Sequence, residues 1–169
     1  MAREVKRMFE KFGEFDSYEE INRAAVAQLA EGDIEAIYII AEENGLDKED
    51  AEDFCTGAIE ELTTAELAAV GKLSLEAKKL ELKDIMADWK DLIVEQCMDN
   101  RELALAVRKK GKRLEECMGR ILKSAFERKE EVPKEIVKAA KLTPPLYMGI
   151  PGKAEIKKIT EKYYLGDEK

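Results

Sequence analysis

The stretch from Glu14 to Glu66 restricts the fold of this chain more than any other sequence feature. It holds seventeen acidic residues and only two basic ones, Arg23 and Lys48, which gives it a net charge of −15. A segment of this composition stays disordered unless its apolar residues recur at a spacing that forms a buried face. The stretch must therefore either remain unfolded or form helices that keep their carboxylates on the outer faces.

Capping residues favour the second outcome, with three short helices. Ser17 and Glu20 form a capping box at the start of the first helix, and Gly32 ends that helix. Asp33 caps the second helix and Asp47 opens the third. The apolar residues of the first two helices recur every three or four positions, which predicts one buried face per helix. They are Tyr18, Ile21, Ala25, Leu29, Ile34, Ile37, Tyr38 and Ala41.

The longest apolar stripe in the chain predicts a central helix. The stripe runs from Leu75 to Cys97, and a helix that carries it has about six turns and ends near Asp99. Trp89 lies in the middle of the stripe, where we expect a core residue. The alternative is an aromatic anchor that faces a partner.

These patterns predict an all-α fold, a compact multi-helix bundle in one domain. An acidic three-helix unit (residues 1–66) packs on the long central helix (67–100), and residues 101–169 form a basic helical region. A second capping box, Thr63 with Glu66, marks the junction of the first two units. No strand is required, although residues 37–40 and the Leu146 region could supply short extended pieces. The helices predicted in the third unit span residues 101–110, 113–129, 133–141 and 153–164, and its Pro-rich loop spans residues 143–152.

The composition favours a cytoplasmic protein that needs no disulfide. A chain of 169 residues can bury enough apolar surface to fold without covalent links. Cys55, Cys97 and Cys117 lie far apart without a Cys-x-x-Cys pair, which is typical of free thiols in a reducing compartment. The charged N-terminus lacks the apolar run of a signal peptide, and no apolar run reaches the roughly 18 residues of a membrane span.

No residue pattern predicts an enzyme, a cofactor or a bound metal. The chain has no histidine, which removes the commonest general base and metal ligand near neutral pH. The acidic run that begins at Asp47 lacks the ligand positions and the glycine of an EF-hand loop. The turn from Gly149 to Gly152, before Lys153, lacks the frame of a phosphate-binding P-loop. We therefore expect a non-enzymatic protein.

The first candidate binding surface is acidic and lies on the three N-terminal helices. A rigid helical scaffold with this charge resembles the charge pattern of a nucleic-acid backbone, so it could occupy the basic channel of a DNA- or RNA-handling protein. The alternative is surface charge that serves solubility alone. The predicted acidic face comprises Glu31, Asp33, Glu35, Glu42, Glu43, Asp47, Glu49, Asp50, Glu52 and Asp53.

The second candidate surface is basic. Between Arg108 and Lys129 there are nine basic residues and three acidic ones, a local net charge of +6. Cations at this density could neutralise phosphates, or they could pair with the acidic unit within one molecule or between protomers. The predicted basic patch comprises Arg108, Lys109, Lys110, Lys112, Arg113, Arg120 and Lys123.

Three stretches together resemble a known group of proteins: residues 12–25 (FGEFDSYEEINRAA), residues 41–53 (AEENGLDKEDAED) and residues 145–152 (PLYMGIPG). They are similar to small, mostly uncharacterised accessory proteins carried by phages and conjugative elements of gut Firmicutes. The resemblance covers nearly the whole chain but includes no catalytic signature and carries over no functional residue. It implies a context in which small acidic proteins often act on host defence, with anti-CRISPR proteins as the leading example.

We therefore expect a non-enzymatic, acidic helical factor of a mobile element. It would bind a basic protein surface, in the manner of an anti-CRISPR inhibitor that occupies the nucleic-acid-binding surface of a CRISPR effector or another nucleic-acid-handling protein. One alternative is a nucleic-acid-binding accessory or regulatory protein that uses the basic patch. Another is a structural or assembly protein whose loop 143–152 docks on a partner or on a second protomer. No membrane partner is expected, and a homo-oligomer stays open as an alternative.

Overall fold

Helices make up most of the chain, which confirms the predicted all-α fold. A computed structural model describes residues 9–166, and within this range there are nine helices and one two-stranded sheet. Residues 1–8 and 167–169, at the ends of the predicted first and third units, lie outside the described part. The helices are α1 (Tyr18–Glu31), α2 (Ile34–Glu43), α3 (Lys48–Thr56), α4 (Ala65–Lys79), α5 (Asp84–Asp99), α6 (Arg101–Arg108), α7 (Leu114–Glu127), α8 (Lys134–Ala139) and α9 (Lys153–Leu165). The strands are β1 (Glu130–Glu131) and β2 (Tyr147–Met148).

The local signals of the acidic unit form as predicted. The Ser17 hydroxyl accepts a hydrogen bond from the backbone N–H of Glu20 at 3.2 Å. The Asp33 carboxylate accepts one from the N–H of Ala36 at 3.0 Å, at the start of α2. Gly32 ends α1 with a φ of 74°, a left-handed conformation that glycine adopts without steric cost. These short-range interactions explain why so acidic a segment is helical.

Two hydrophobic clusters form the core, and α4 contributes to both. The first cluster lies among α1, α2 and α3 and includes Ala68 of α4. The second lies among α4, α5, α6, α7 and α9, and it receives Ala69 and Leu73 from α4. Trp89 belongs to the second cluster and is only 5% exposed, which confirms the core position. The acidic unit therefore packs on α4 rather than on the helix that carries Trp89.

The prediction of one central helix over residues 75–99 is wrong, because the structure has two helices there. α4 ends at Lys79 and α5 begins at Asp84, and both Glu81 and Asp84 have a left-handed φ of 52°. No glycine or proline between them signals the break. The apolar stripe continues across the break because both helices face the second cluster, where Leu82 of the connecting turn also packs.

The second predicted capping box does not form, and the N-cap of α4 lies one residue later than predicted. Thr64 is the N-cap of α4, and its hydroxyl accepts a hydrogen bond from the N–H of Leu67 at 3.2 Å. Thr63 is buried instead, and its N–H and C=O each form a 2.9 Å hydrogen bond with the side-chain amide of Asn22. Both threonines suit a cap, so the tertiary contact with α1 decides between them.

A close contact between two glycines joins the turn after α2 to α4. A Cβ added at Gly71 would lie 2.3 Å from the carbonyl oxygen of Asn44. A Cβ added at Gly45 would lie 2.3 Å from the carbonyl oxygen of Gly71. No side chain fits at either position, so the two backbones pack directly and fix the acidic unit on α4.

Apolar residues recur along α7 at helical spacing, but only part of this stripe is buried. Leu114 and Ile121 are fully buried, whereas Leu122 and Phe126 are 51% and 66% exposed. α7 packs on α4 and α9, and the exposed pair lies outside these contacts. The inward face of α7 is thus narrower than the periodicity suggested.

The Pro-rich loop 143–152 contains one of the short extended pieces that the sequence allowed. β2, next to Leu146, pairs antiparallel with β1, with Glu130 opposite Met148. Gly149 lies against the C-terminal turn of α7, where an added Cβ would meet the carbonyl oxygen of Ala125. The other allowed extended piece, residues 37–40, lies inside α2.

Candidate functional site

The predicted acidic face lies on α1, α2, α3 and the turns between them. Most of its members, including Glu42, are exposed, whereas Glu43 and Asp50 are half-buried. Seven members are exposed and form no ion pair with any cation of the described residues. They are Glu31, Asp33, Glu35, Asp47, Glu49, Glu52 and Asp53.

Glu43 has a structural role within the fold. Its two carboxylate oxygens accept hydrogen bonds from the backbone N–H groups of Lys11, at 2.5 Å, and Phe12, at 3.0 Å. These bonds hold the segment before α1 against the end of α2. Both oxygens of Glu43 are therefore engaged inside the protein, whereas among the seven exposed acids Asp33 has a capping hydrogen bond.

Carboxylates crowd one another in α3. Partial burial raises the pKa of Asp50, and the negative charges of Asp47 and Asp53 raise it further. Asp47 occupies the N-cap position of α3, as predicted, but its side chain accepts no capping hydrogen bond. The local repulsion is therefore only partly offset by the positive end of the helix dipole.

A depression of about 650 Å³ opens beside these carboxylates, between α2 and the start of α3. Its floor is apolar and its edge is charged. A partner could place the apolar part of a side chain against this floor. The described residues that line it are Tyr38, Ala41, Glu42, Leu46 and Lys48.

The predicted basic patch does not form one surface, because three of its members turn inward. Arg108 is only 1% exposed. The Lys112 ammonium donates a hydrogen bond to the carbonyl of Tyr163 at 2.8 Å, and the Arg113 guanidinium binds both oxygens of Glu14 at 2.8 and 3.0 Å. Arg113 thus pairs with the acidic stretch within the molecule, one of the alternatives left open by the sequence. The members that remain exposed are Lys109, Lys110, Arg120 and Lys123.

Lys72 is the centre of a buried polar cluster that the sequence did not predict. Its side chain is fully buried in α4. The ammonium donates hydrogen bonds to the carbonyl oxygens of Val107 at 2.9 Å, Lys109 at 2.8 Å and Lys112 at 2.8 Å. A carboxylate oxygen of Glu14 lies 3.7 Å from the same nitrogen. One cation therefore satisfies the carbonyls at the end of α6 and in the turn to α7.

Glu76 and Arg108 extend this cluster to the two ends of the α6–α7 turn. One oxygen of Glu76 accepts a hydrogen bond from the N–H of Leu114 at 3.1 Å, at the start of α7. Arg108 donates to the side-chain oxygen of Asn44 at 2.6 Å, and its guanidinium lies over the Phe9 ring, 5.4 Å from the centroid. The cluster therefore links the acidic unit, α4, α6 and α7.

Burial shifts the ionisation of all three buried members. It lowers the pKa of Lys72 to about 8 and that of Arg108 to about 10, and it raises the pKa of Glu76 to about 7. The available sequence signal was weak: Lys72 and Glu76 are four residues apart on α4, on the face that also carries Leu73 and Ala69. A charged pair on a mostly apolar face indicates buried polar contacts, but it does not identify the residues that form them.

The thiols are poorly suited to nucleophilic chemistry. Burial raises the pKa of Cys97 to about 12 and that of Cys117 to about 11. Cys55 is half-buried, and burial raises the pKa of its thiol too. All three are therefore protonated near neutral pH, and a protonated thiol is a weak nucleophile.

Neither a group of metal-ligating side chains nor a membrane-spanning helix is found among residues 9–166. No three histidine, cysteine, aspartate or glutamate side chains are grouped so that they could hold a metal ion. No helix there has the length and apolar character needed to cross a membrane.

Comparisons of the chain with models of protein families, with curated proteins and with solved structures found no match.

Proposed function

We propose that this protein is a non-enzymatic binding factor whose acidic face docks on the basic surface of a nucleic-acid-handling protein. The observation that carries the proposal is the set of seven exposed carboxylates on α1–α3, none of which is paired with a described cation. Capped helices and a common core hold these carboxylates at fixed positions. Fixed charge is what a competitor of a nucleic-acid backbone requires.

Electrostatic energy supports this use of the surface. Like charges on one surface repel each other, and solvent and salt weaken this repulsion between exposed groups. A basic partner surface would replace that repulsion by attraction and would accelerate association at low salt. Solubility alone does not require such a concentration of unpaired acids on three adjacent helices.

The target would be a protein complex that binds nucleic acid. The resemblance to accessory proteins of mobile elements favours an inhibitor of the anti-CRISPR type, acting in the host cytoplasm on a CRISPR effector or a comparable nucleoprotein. The apolar floor of the depression beside Tyr38 would add specificity, because charge by itself selects partners weakly.

A capture experiment tests the proposal. Tagged protein is incubated with host lysate at low salt, the bound proteins are identified by mass spectrometry, and RNA or DNA is then added as a competitor. We expect basic nucleic-acid-binding proteins that are released by the competitor and by high salt. The acidic-face variant combines Glu49→Gln, Glu52→Gln and Asp53→Asn, and it should lose most of this capture.

A matched control separates the acidic face from total charge. The control variant removes three exposed carboxylates from α5, α6 and α9, so its net charge changes by the same amount. It should capture the same proteins as the unchanged chain. If the two variants behave alike, or if nucleic acid releases nothing, the acidic face is not a nucleic-acid mimic. The control substitutions are Asp88→Asn, Glu102→Gln and Glu161→Gln.

A further inference from the structure

A basic groove lies between α7 and α9, far along the chain from the acidic face. Its volume is about 350 Å³. Only two members of the predicted basic patch, Arg120 and Lys123, belong to it. The cations that line it outnumber the carboxylates by five to two. The charged residues are Arg120, Lys123, Arg128, Lys158 and Lys162, with Glu127 and Glu155.

The groove arises because α7 and α9 pack antiparallel. The start of α7 meets the end of α9, where the N–H of Arg113 donates a hydrogen bond to the Tyr163 hydroxyl at 2.8 Å. The end of α7 meets the start of α9, where Ser124 donates to Glu155 at 2.8 Å. Each helix therefore contributes one row of cations. From Arg120 to Arg128 the α7 row covers nine residues, a rise of about 12 Å at about 1.5 Å per residue step.

The acids of the groove are already engaged, which leaves three cations uncompensated. Glu155 binds Arg128 at 2.8 Å as well as Ser124, and Glu127 lies 3.9 Å from Lys123. The other three cations have no carboxylate of the described residues within ion-pair distance. They are Arg120, Lys158 and Lys162.

Arg120 is also held in place. Its guanidinium lies over the Tyr163 ring, 5.1 Å from the centroid. Tyr163 is buried, and its ring also faces the Lys112 ammonium. One face of the guanidinium therefore packs on the Tyr163 ring while its edge stays exposed. Such an edge can bind two phosphate oxygens at once.

We propose that this groove binds the phosphodiester backbone of a nucleic acid. Two facing rows of cations over about 12 Å exceed what one isolated phosphate can use, whereas a continuous backbone can contact both rows. None of the described residues that line the groove is aromatic, so the lining offers no ring that could stack on a base. Binding is therefore independent of base sequence. This inference goes beyond the proposed function, because it concerns nucleic acid itself and a different surface.

Fluorescence anisotropy with a labelled oligo(U) and with a DNA duplex of arbitrary sequence tests this proposal in the absence of any partner protein. We expect binding of both at about 50 mM salt, and for oligo(U) a slope of about −2 in a plot of log K against log salt, because three cations release about 0.7 counterion each. The groove variant combines Arg120→Gln, Lys158→Gln and Lys162→Gln, and it should weaken binding about tenfold or more at low salt.

The control variant has the same net charge as the groove variant and should bind almost as tightly as the unchanged chain. It carries three substitutions of exposed lysines near the α4–α5 turn: Lys78→Gln, Lys79→Gln and Lys83→Gln. Circular dichroism of both variants checks the helix content.

Three results would overturn the proposal: no binding of either probe at low salt, equal loss of binding in the two variants, or an oligoglutamate that competes as well as oligo(U). The last would point to an acidic protein surface as the occupant, including the acidic face of a second copy. None of these results tests whether the acidic face binds a basic partner protein, because that question is tested separately by capture of a protein.

Discussion

Replacing Lys72 by methionine should destabilise the protein by about 3 kcal/mol. Methionine has a similar length and volume, so the substitution removes the charge and the donors without opening a large cavity. The carbonyls of Val107, Lys109 and Lys112 lose their common donor. Because Lys72 is buried in α4, water could reach these three carbonyls in its place only if the fold opened locally.

The magnitude follows from two opposing contributions. Three hydrogen bonds from a charged donor contribute about 1.5 to 3 kcal/mol each, or about 5 to 9 kcal/mol together. Against this, the fall of the Lys72 pKa from 10.5 to about 8 corresponds to a cost of about 3 kcal/mol for keeping the ammonium charged. The difference is about 2 to 6 kcal/mol, and breaking a buried charged contact typically costs about 3 to 5 kcal/mol.

Urea unfolding at neutral pH, followed by circular dichroism, measures this loss as a shift of the midpoint by about 1 M or more at an unchanged slope. Lys78→Met is the matched control, because Lys78 lies on the same helix and is exposed. Its effect should stay within about 0.5 kcal/mol. A loss below about 1 kcal/mol for Lys72→Met would refute the reasoning, since it would mean that water or a rearranged turn satisfies the three carbonyls equally well.

Two further predictions concern α4. Gly71→Ala should destabilise the protein by about 2 kcal/mol or more, because the new methyl group would meet the Asn44 carbonyl oxygen at 2.3 Å. Gly119 lies in α7 and faces open space, so Gly119→Ala should stabilise the protein by about 0.5 to 1 kcal/mol. Thermal unfolding of the two variants compares these effects. For Glu76, burial raises the folded-state pKa from 4.5 to about 7. The contribution of Glu76 to stability is therefore full below about pH 4.5 and is lost as the pH rises through about 7. The free energy of unfolding changes by about 3 kcal/mol over this window. Glu76→Gln should remove this pH dependence in urea unfolding between pH 5 and about 8, and a variant that loses stability over this window as the unchanged chain does would contradict the assignment.

The sequence predicted best those features whose causes are local. The Ser17 and Asp33 caps, the Gly32 terminator and the start of α9 depend on residues within one helical turn of each other, and the structure has them as predicted. The exposure of most acidic-face residues follows from the same helical periodicity. Polar residues opposite an apolar stripe face solvent whatever the rest of the chain does.

The sequence predicted poorly those features that depend on distant partners. The break between α4 and α5 leaves the apolar stripe intact, because both helices face one core. The basic patch was inferred from a run of neighbours, but Arg108 and Arg113 turn inward to partners 64 and 99 residues away. The groove between α7 and α9 combines residues from two segments that only the tertiary fold brings together, so no local pattern could reveal it.

The sharing of α4 between the two cores determines where this chain can be divided. The predicted boundary at residue 66 passes through the first turn of α4, so a fragment that stops there would lack Ala68, which belongs to the first cluster, and Gly71, on which Gly45 rests. The smallest fragment that keeps the acidic face in its native arrangement therefore extends to the end of α4 at Lys79. Grafting the carboxylates onto another scaffold without that helix would transfer their charge but not their spacing.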